Sequence, residues 1–264
     1  MMLNSKILPV VLTKNEEHNI EKCLKRLKWA KKVLLFDSFS DDKTIFLAKK
    51  YSNVKIIKCK KSLDYVGKLN FINRVTQNSY IFLLDADYEC SRKLVKELAN
   101  FTPSQNVFGY NFKIYNKIYG KVLKENLYPS KILLFKSSKN LFKRFGHKEI
   151  IKKKGHVRDF KNYIIHEDKK SLKRWFKNQY FYSVKDSKKL FQIDFSKLTI
   201  QNKIRRIPFL MNIVSAIYYT FKLNLLRFGM AGFFYILARQ VYETFLSINV
   251  FIYFLRRILK LNKI

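Results

Sequence analysis

Short apolar runs alternate with amphipathic segments over the first hundred residues, and this alternation leaves few folds open to the chain. Residues 6–12, 32–37, 54–58 and 80–85 are predicted to be strands, and residues 19–29, 43–51 and 68–75 are predicted to be helices. Strands that alternate with helices form a parallel sheet covered by helices on both faces. We therefore predict an α/β domain with a mostly parallel sheet, whose ligands bind at the carboxyl ends of the strands.

The pattern changes twice after the first hundred residues. Residues 107–166 predict short strands with charged turns, and residues 171–190 predict one helix rich in lysine and aromatic residues. From about residue 200 the chain becomes strongly apolar and aromatic, interrupted by arginine and lysine. We predict a catalytic domain over residues 1–192 and a helical, membrane-associating region over residues 193–264.

The formal net charge of +35 calls for a polyanionic neighbour, either nucleic acid, an anionic membrane surface or a phosphorylated glycan. The charge alone is not specific, because the joint abundance of Lys, Asn, Ile and Phe is typical of an AT-rich genome. Three scattered cysteines predict reduced thiols and no disulfide or zinc framework. The N-terminal segment reaches charged residues too early for a signal peptide, so we expect the catalytic part in the cytoplasm.

Two carboxylates follow the most apolar strand. In YIFLLDADYEC the apolar run ends in Asp85 and Asp87, one residue apart, so both side chains can face one ligand. Two oxygen donors beside a diphosphate are what a Mg²⁺ or Mn²⁺ site requires, with phosphate and water as further ligands. The alternative is a strand-end aspartate that caps the helix beginning near Ser91.

A second polar cluster, LLFDSFSDDKT, places Asp37 at the end of the second strand. This carboxylate could accept a hydrogen bond from the imide of uracil or from a ribose hydroxyl. Ser40, Asp41 and Asp42 are instead predicted to cap the next helix.

A third cluster, LTKNEEHNIEKCL, follows the first strand. Thr13, Asn15 and Glu16 lie where a nucleoside would rest. Glu17 and Asn19 are more simply explained as residues that start a helix.

Together, VVLTKNEEHNIEKCL, LLFDSFSDDKT and FLLDADYEC resemble, in this order and spacing, the GT-A nucleotide-sugar-binding domain of glycosyltransferase family 2. GHKEI (146–150), IIHEDKKSLKRWFKNQYFYS (164–183) and FGMAGFFYILARQVYETFLS (228–247) resemble a bacterial subgroup that includes lipopolysaccharide-core β-1,4-glucosyltransferases. The resemblance implies a Rossmann-like GT-A fold and C-terminal amphipathic helices. It also implies an inverting transfer of a hexose from a UDP-sugar, UDP-glucose or UDP-galactose, to a lipid-linked envelope glycan such as a lipopolysaccharide core.

The resemblance also implies roles for the donor-side residues. Asp37 would bind the base or ribose, Asp85 the ribose or a metal-bound water, and Asp87 the divalent metal, Mn²⁺ or Mg²⁺. His166 matches the late histidine that completes the metal site in many GT-A enzymes. Its alternative is a core histidine whose ring nitrogens bond to the backbone.

On the acceptor side, Arg174 and Trp175 resemble an Arg-Trp pair near the diphosphate and acceptor of relatives, although a helix-surface arginine beside a core tryptophan also fits. An inverting displacement needs a general base to deprotonate the acceptor hydroxyl. Relatives use a carboxylate, commonly in a Glu-Asp pair, and this chain departs from that pattern. Glu149 is the first candidate base, Asp168 the second, and His147 a possible partner.

Two apolar stretches form the C-terminal region, residues 207–221 and 228–255. The second carries Arg239, Gln240 and Glu243 near its middle, which disfavours a spanning helix. Aromatic, amphipathic helices flanked by lysine and arginine fit helices lying in a membrane interface. The alternative is a helical subdomain that packs on the catalytic domain or on a second copy. We expect a peripheral or monotopic protein on the cytoplasmic face of the inner membrane.

Three other functions compete with this interpretation. A basic nucleic-acid-binding protein fits the charge, but the chain lacks zinc-finger and RNA-binding signatures, so no specific nucleic acid is expected. A nucleotidyltransferase can share the fold and the carboxylate–metal chemistry. An inactive relative would bind the donor without turnover.

Overall fold

The computed structural model describes residues 3–59, 63–76, 79–125, 128–138, 141–145, 148–151, 155–169 and 171–259. For residues 144, 145, 148–150 and 257 it describes the backbone alone. Contacts divide the chain into two compact units. The first comprises Met1–Lys117, Asn126–Arg144 and Glu149–Lys169, and the second comprises Ile118–Glu125, Phe145–Lys148 and Lys170–Ile264.

The strands and helices follow each other in chain order, and their bounds are as follows. The strands are β1 (Ile7–Thr13), β2 (Val33–Asp37), β3 (Val54–Lys58), β4 (Tyr80–Asp85), β5 (Tyr88–Cys90), β6 (Val107–Phe112), β7 (Ile114–Ile118), β8 (Lys121–Leu123), β9 (Lys131–Lys136), β10 (Phe142–Phe145), β11 (Lys148–Ile151), β12 (His156–Asp159) and β13 (Ile164–His166). The α-helices are α1 (Ile20–Lys25), α2 (Thr44–Ala48), α3 (Tyr65–Val75), α4 (Arg92–Asn100), α5 (Leu172–Gln192), α6 (Ile200–Arg205), α7 (Leu210–Ile217) and α8 (Met230–Ile258).

The first unit is built on a seven-stranded sheet in the order β12-β6-β9-β4-β1-β2-β3. Strands β3, β2, β1 and β4 are parallel neighbours, β9 is antiparallel to β4 and β6, and β12 is parallel to β6. A smaller sheet pairs β13 with β5 and with β7. The predicted α/β fold with a mostly parallel sheet is confirmed.

Both faces of the central sheet are covered, which explains the continuous apolar runs of its strands. Val10 and Val11 are consecutive residues of β1, yet both are fully buried, in two different apolar clusters. Helices α1, α2 and α4 contribute to one cluster, and α3 contributes Leu69 and Ile72 to the other. This two-sided packing holds the strand ends in fixed positions.

The second unit is mainly helical. A 3-10 turn (Phe195–Lys197) follows α5, a π-helical turn (Tyr218–Lys222) continues α7, and a second 3-10 turn (Leu225–Phe228) precedes α8. Leu190 of α5 packs with Leu246 and Val250 of α8. In the part of the chain that the structure describes, no helix combines the length and the apolar composition required to cross a membrane. The domain division at residues 192 and 193 stays a prediction.

Candidate functional site

The carboxyl ends of β1, β2 and β4 lie side by side. Thr13 is the register partner of Asp37, and Leu12 is the partner of Asp85. The backbone N–H of Ala86 continues the pairing by donating to the carbonyl of Leu12 at 3.1 Å. The three sequence clusters around Thr13, Asp37 and Asp85 therefore meet at one edge of the sheet, where parallel α/β sheets bind ligands.

Asp37 is held by the turn that follows β2. Its side chain is only 2% exposed. The Ser40 hydroxyl donates to Oδ1 at 2.6 Å, and the Ser40 N–H donates to Oδ2 at 3.1 Å. The chain reaches this position through Phe39, whose φ of 61° lies in the left-handed region. The carboxylate of Asp37 is therefore fixed in orientation at the strand end.

The capping role predicted for the residues after β2 is only partly correct. Ser40 binds Asp37 and accepts the N–H of Asn15 at 2.9 Å, so it does not cap α2. Asp42 does act at the start of that helix, because its Oδ1 accepts the Thr44 N–H at 2.9 Å. Burial would raise the pKa of Asp42, but the hydrogen bonds from Thr44 outweigh burial and lower it. The prediction for Ser40 is wrong because the local sequence does not show that Asn15, 25 residues earlier, is a partner of its side chain.

The loop after β1 is tied to the loop after β2. The Asn15 side chain accepts the Asp41 N–H at 3.1 Å, and the Glu16 N–H donates to Thr44 Oγ1 at 2.8 Å. The Glu16 carboxylate also accepts a hydrogen bond from Asn19 at 2.9 Å. By contrast, Thr13 Oγ1 is buried and has no hydrogen-bond partner among the described residues. The donor-binding roles of Thr13, Asn15 and Glu16 stay predictions.

Asp87 and His166 face each other across the smaller sheet. His166 Nε2 lies 3.4 Å from Asp87 Oδ2, and His166 Nδ1 lies 2.8 Å from Asn116 Oδ1. An amide oxygen only accepts, so with this amide orientation Nδ1 carries a proton, and in the neutral imidazole the lone pair of Nε2 points towards Asp87. Two negative lone-pair regions at this distance repel each other unless a proton or a cation lies between them.

This geometry fits a shared divalent cation. Two ligand atoms of one octahedral Mg²⁺ or Mn²⁺ lie about 3 Å apart, close to the observed separation. The hydrogen bond between Nδ1 and Asn116 is of the kind that orients metal-binding histidines in proteins. Among the described residues no group of three or more His, Cys, Asp or Glu is arranged to hold a metal. The metal roles of Asp87 and His166 stay predictions.

The alternative role of the strand-end aspartates as helix caps is wrong. The side chain of Ser91 itself caps α4, accepting the Leu94 N–H at 3.2 Å. Asp85 and Asp87 instead lie among tyrosines. Burial, followed by the charge of Asp85, raises the pKa of Tyr88 well above its usual value. Both carboxylates thus lie close to Tyr88 at the end of β4.

Aromatic rings enclose His166. The ring centroids of Tyr88 and Tyr128 lie 5.6 and 5.4 Å from that of the histidine. The two tyrosine hydroxyls are 3.0 Å apart, and Lys131 Nζ donates to the Tyr88 hydroxyl at 3.2 Å. These contacts restrict rotation of the imidazole and place an ammonium group near the carboxylates.

The segment after His166 is anchored by Glu167. Its N–H donates to the carbonyl of Asp87 at 3.2 Å, and its carboxylate accepts hydrogen bonds from Lys22 at 2.5 Å and Lys117 at 3.4 Å. Burial would raise the pKa of Glu167, but the hydrogen bond from Lys22 and the charge of Lys117 outweigh it and lower the pKa. This ion-pair cluster links the end of β13 to α1 and to β7.

Sequence reasoning missed Asn116, Tyr128, Lys131 and Lys68. Lys68 of α3 donates to the Ser38 hydroxyl at 3.0 Å and so adds a cation next to Asp37. Asn116 becomes a neighbour of His166 only through the parallel register of β7 and β13. Lys68 and Asn116 lie in no recognisable motif, so the local sequence gave no signal for either residue.

The predicted acceptor-side residues lie in different segments of the chain. Glu149 lies in β11, where the backbone alone is described, and His147 lies outside the described residues. Asp168 is exposed two residues after His166 in the first unit. Arg174 lies in the first turn of α5 in the second unit, followed by Trp175. Their catalytic roles stay predictions.

These features define a nucleotide-type α/β site with a paired carboxylate and histidine at the strand ends. The model of the family described as Glycosyl transferase family 2 matches residues 10–167 of the chain. The chain belongs to this family. The resemblance seen in the three motifs and the predicted GT-A fold are thereby confirmed, while the lipopolysaccharide-core subgroup stays a prediction.

Curated relatives match a shorter part of the chain. An uncharacterized glycosyltransferase of Rickettsia bellii is 35% identical over 106 residues, which is 40% of this chain and 35% of the relative. An uncharacterized glycosyltransferase of Rickettsia conorii is 31% identical over 105 residues, which is 39% of this chain and 36% of the relative. The matched region spans about a third of the length of these relatives.

A solved structure supports the fold over nearly the whole chain. The mannosyltransferase PcManGT from Pyrobaculum calidifontis, solved in complex with GDP-Man and Mn²⁺, aligns with 97% of this chain and 88% of its own. The TM-score is 0.51 and the sequence identity is 14%. At this identity the likeness shows the fold alone.

Proposed function

We propose that the protein is a glycosyltransferase that moves a hexose from a UDP-sugar to an acceptor hydroxyl with the help of a divalent metal. One observation carries this proposal. Asp37 and the Asp87–His166 pair lie at the same edge of the central sheet. There a carboxylate that would accept a hydrogen bond from a uracil imide lies at the same edge as a carboxylate–histidine pair that would hold a cation. Family membership supports a sugar-nucleotide donor.

The donor side follows from residues with known contacts. Asp37, held by Ser40, would accept the uracil imide N–H or a ribose hydroxyl. The buried hydroxyl of Thr13, which has no hydrogen-bond partner among the residues described, would gain one from the nucleoside. Asp87 and His166 would hold Mn²⁺ or Mg²⁺, which stabilises the charge that develops on the leaving diphosphate. Asp85 would bind the ribose or a metal-bound water.

The acceptor side completes an inverting displacement. The acceptor oxygen forms a bond to the anomeric carbon while the bond from that carbon to the diphosphate breaks, and the acceptor proton passes to a carboxylate. Glu149 is the proposed base and Asp168 the second candidate, with His147 as a possible partner. Arg174 would neutralise the leaving diphosphate. A carboxylate in a dry pocket has a raised pKa, which suits this task.

The proposed acceptor is a lipid-linked glycan such as a lipopolysaccharide core, reached at the cytoplasmic face of the inner membrane. The support is the composition of the proposed membrane-associating region, residues 193–264. It contains eleven Lys and Arg but only two acidic residues, Asp194 and Glu243. Such a surface suits anionic lipid or phosphorylated glycan, and the protein would be peripheral or monotopic.

The test measures thermal stabilisation by UDP-glucose, UDP-galactose, GDP-mannose and UTP, each with Mn²⁺ and with EDTA. A UDP-sugar at 100 times its dissociation constant should stabilise the folded protein by about 2.7 kcal/mol. Asp87→Ala should abolish metal-dependent binding and turnover. Asp194→Ala, at an exposed aspartate that pairs with Lys197, is the matched control.

Three outcomes would contradict the proposal. Wild-type turnover by the Asp87→Ala variant in EDTA would refute the metal assignment. A preference for GDP-mannose would refute the UDP-sugar donor. Release of pyrophosphate from UTP without turnover of any nucleotide-sugar would identify a nucleotidyltransferase.

A further inference from the structure

Helix α8 is apolar on two sides. Ala231, Tyr235, Leu246 and Val250 are buried in the clusters of the helical unit. A second side presents large exposed apolar residues along the length of the helix, here called the α8 apolar face: Met230, Phe233, Leu237, Ile248, Phe251 and Leu255. Their spacing keeps them near one side of a helix with 3.6 residues per turn, and they extend over about 38 Å.

Helix α7 and the π-helical turn after it have the same property. Ile213, Ile217 and Phe221 recur every four residues and are exposed, whereas Ser215 and Tyr219 are buried. An ordinary helix of a soluble protein places its apolar residues inside and its polar residues outside. Here large apolar residues remain in contact with water, which is unfavourable for an isolated unit.

The polar residues in the middle of α8 are turned into the unit. Glu243 is 1% exposed and accepts a hydrogen bond from Arg205 Nε at 3.0 Å, and Arg239 lies 3.4 Å from the same carboxylate. Gln240 donates to Ser215 at 3.0 Å. The charges that argue against a spanning helix are thus satisfied within the unit. Contacts of Gln240 and Thr244 with α7 divide the α8 apolar face into two exposed parts, one around Phe233 and Leu237 and one around Phe251 and Leu255.

After residue 192 the charge is predominantly positive. Of the two acidic residues after residue 192, Glu243 is buried and Asp194 is paired with Lys197 at 3.3 Å. Lys222, just before α8, and Arg256, near its end, are exposed. A second copy would bring the same positive charge against this surface. An anionic bilayer instead matches both its apolar residues and its charge.

We propose that α7 and α8 lie flat on an anionic phospholipid bilayer, with the α8 apolar face at the boundary between headgroups and acyl chains. The inference rests on the proposed function, in which the acceptor is anchored in a membrane, and it names the surface that makes the contact. Lipid binding and donor turnover are measured separately, so either idea can fail without the other.

The first experiment sediments the full-length protein with vesicles of phosphatidylcholine alone or mixed with phosphatidylglycerol. The double variant Phe233→Ser/Leu237→Ser should bind the mixed vesicles at least about tenfold more weakly, because binding scales with the apolar area inserted. Phe46→Ser, at an exposed aromatic residue of α2, is the matched control and should bind as wild type. Hydrolysis of UDP-sugar without vesicles should be equal for all three proteins.

Wild-type binding by the double variant would overturn the proposal, as would equal binding of wild type to both kinds of vesicle. Light scattering tests the competing occupant. The face would be assigned to a second copy if two results were found together. The wild-type protein would be a dimer that does not bind vesicles, and the double variant would be a monomer.

The second experiment places a fluorescent probe on the face without removing apolar area. Phe233→Trp and Phe251→Trp should each show a blue shift and quenching by lipids brominated on the acyl chains. Phe46→Trp should show neither beyond the signal of the native Trp29 and Trp175. Absence of quenching at positions 233 and 251 would overturn insertion even if the protein sediments with the vesicles.

Discussion

Replacing Asn116 with leucine tests whether His166 is a metal ligand without touching either proposed ligand. Leucine has a similar volume but cannot accept the hydrogen bond from His166 Nδ1, which is 2.8 Å long. The proton is then no longer held on Nδ1, so the neutral imidazole can also carry it on Nε2. In that tautomer Nε2 has no lone pair to bind a metal. The rings of Tyr88 and Tyr128 still hold the imidazole in place, so we expect weakened rather than abolished binding.

The expected magnitude is a 10- to 100-fold loss of Mn²⁺ affinity, as for other partners of ligating histidines. This corresponds to about 1.4–2.8 kcal/mol. Loss of one neutral hydrogen bond should lower the free energy of unfolding by only about 1 kcal/mol, so the protein stays folded. His166→Ala removes the ligand itself and should lose more affinity than Asn116→Leu.

Isothermal titration of Mn²⁺ in the presence of UDP measures these affinities. Asn162→Leu is the matched control, because the Asn162 amide donates to Glu97 at 2.6 Å, away from His166. It should leave Mn²⁺ affinity unchanged. If Asn116→Leu and His166→Ala both bind Mn²⁺ as tightly as wild type, His166 is not a ligand and its pairing with Asp87 is structural.

Three further predictions concern single side chains. Asp37→Asn keeps an acceptor for Ser40 but should lower the affinity for UDP about tenfold and leave the affinity for inorganic diphosphate unchanged. An equal loss of affinity for both ligands in equilibrium binding would mean that Asp37 is structural. Glu149→Gln should slow the chemical step about 10²-fold in single-turnover assays with donor affinity nearly unchanged, whereas near-normal turnover alongside an inactive Asp168→Asn would move the base to Asp168. Glu243→Ala should lower the free energy of unfolding in urea by about 3–5 kcal/mol, because Arg205 loses its buried counter-ion; a loss below about 1 kcal/mol would contradict this.

The arrangement of strands and helices was predictable because it depends on local patterns. Residues 54–58 and 80–85 were predicted as strands, and β3 and β4 have these bounds. Helices were less accurate at their ends. The segment 19–29 forms a helix only over Ile20–Lys25, because Leu27 and Trp29 turn into the apolar cluster beneath the sheet. Tertiary burial there overrides the helical pattern.

The edge of the sheet that carries the site was also predictable. Polar residues directly after apolar strands must lie at the carboxyl ends, and parallel strands align those ends. That reasoning placed Thr13, Asp37 and Asp85 together, and the register confirms their proximity. It did not extend to the partners of these side chains, as the assignment of Ser40 to a helix cap shows.

By itself the sequence determined the family, the α/β class and the edge of the sheet where polar residues gather, since these follow from periodicity and from motifs within single segments. Only the tertiary structure decided that His166 lies between Asn116 and Tyr88, and that Glu243 is turned towards Arg205. Such pairs join segments 38 to 78 residues apart in the chain. Their formation depends on strand register and helix rotation, which the pattern of one segment does not specify, because each segment can bury its apolar residues against several different partners.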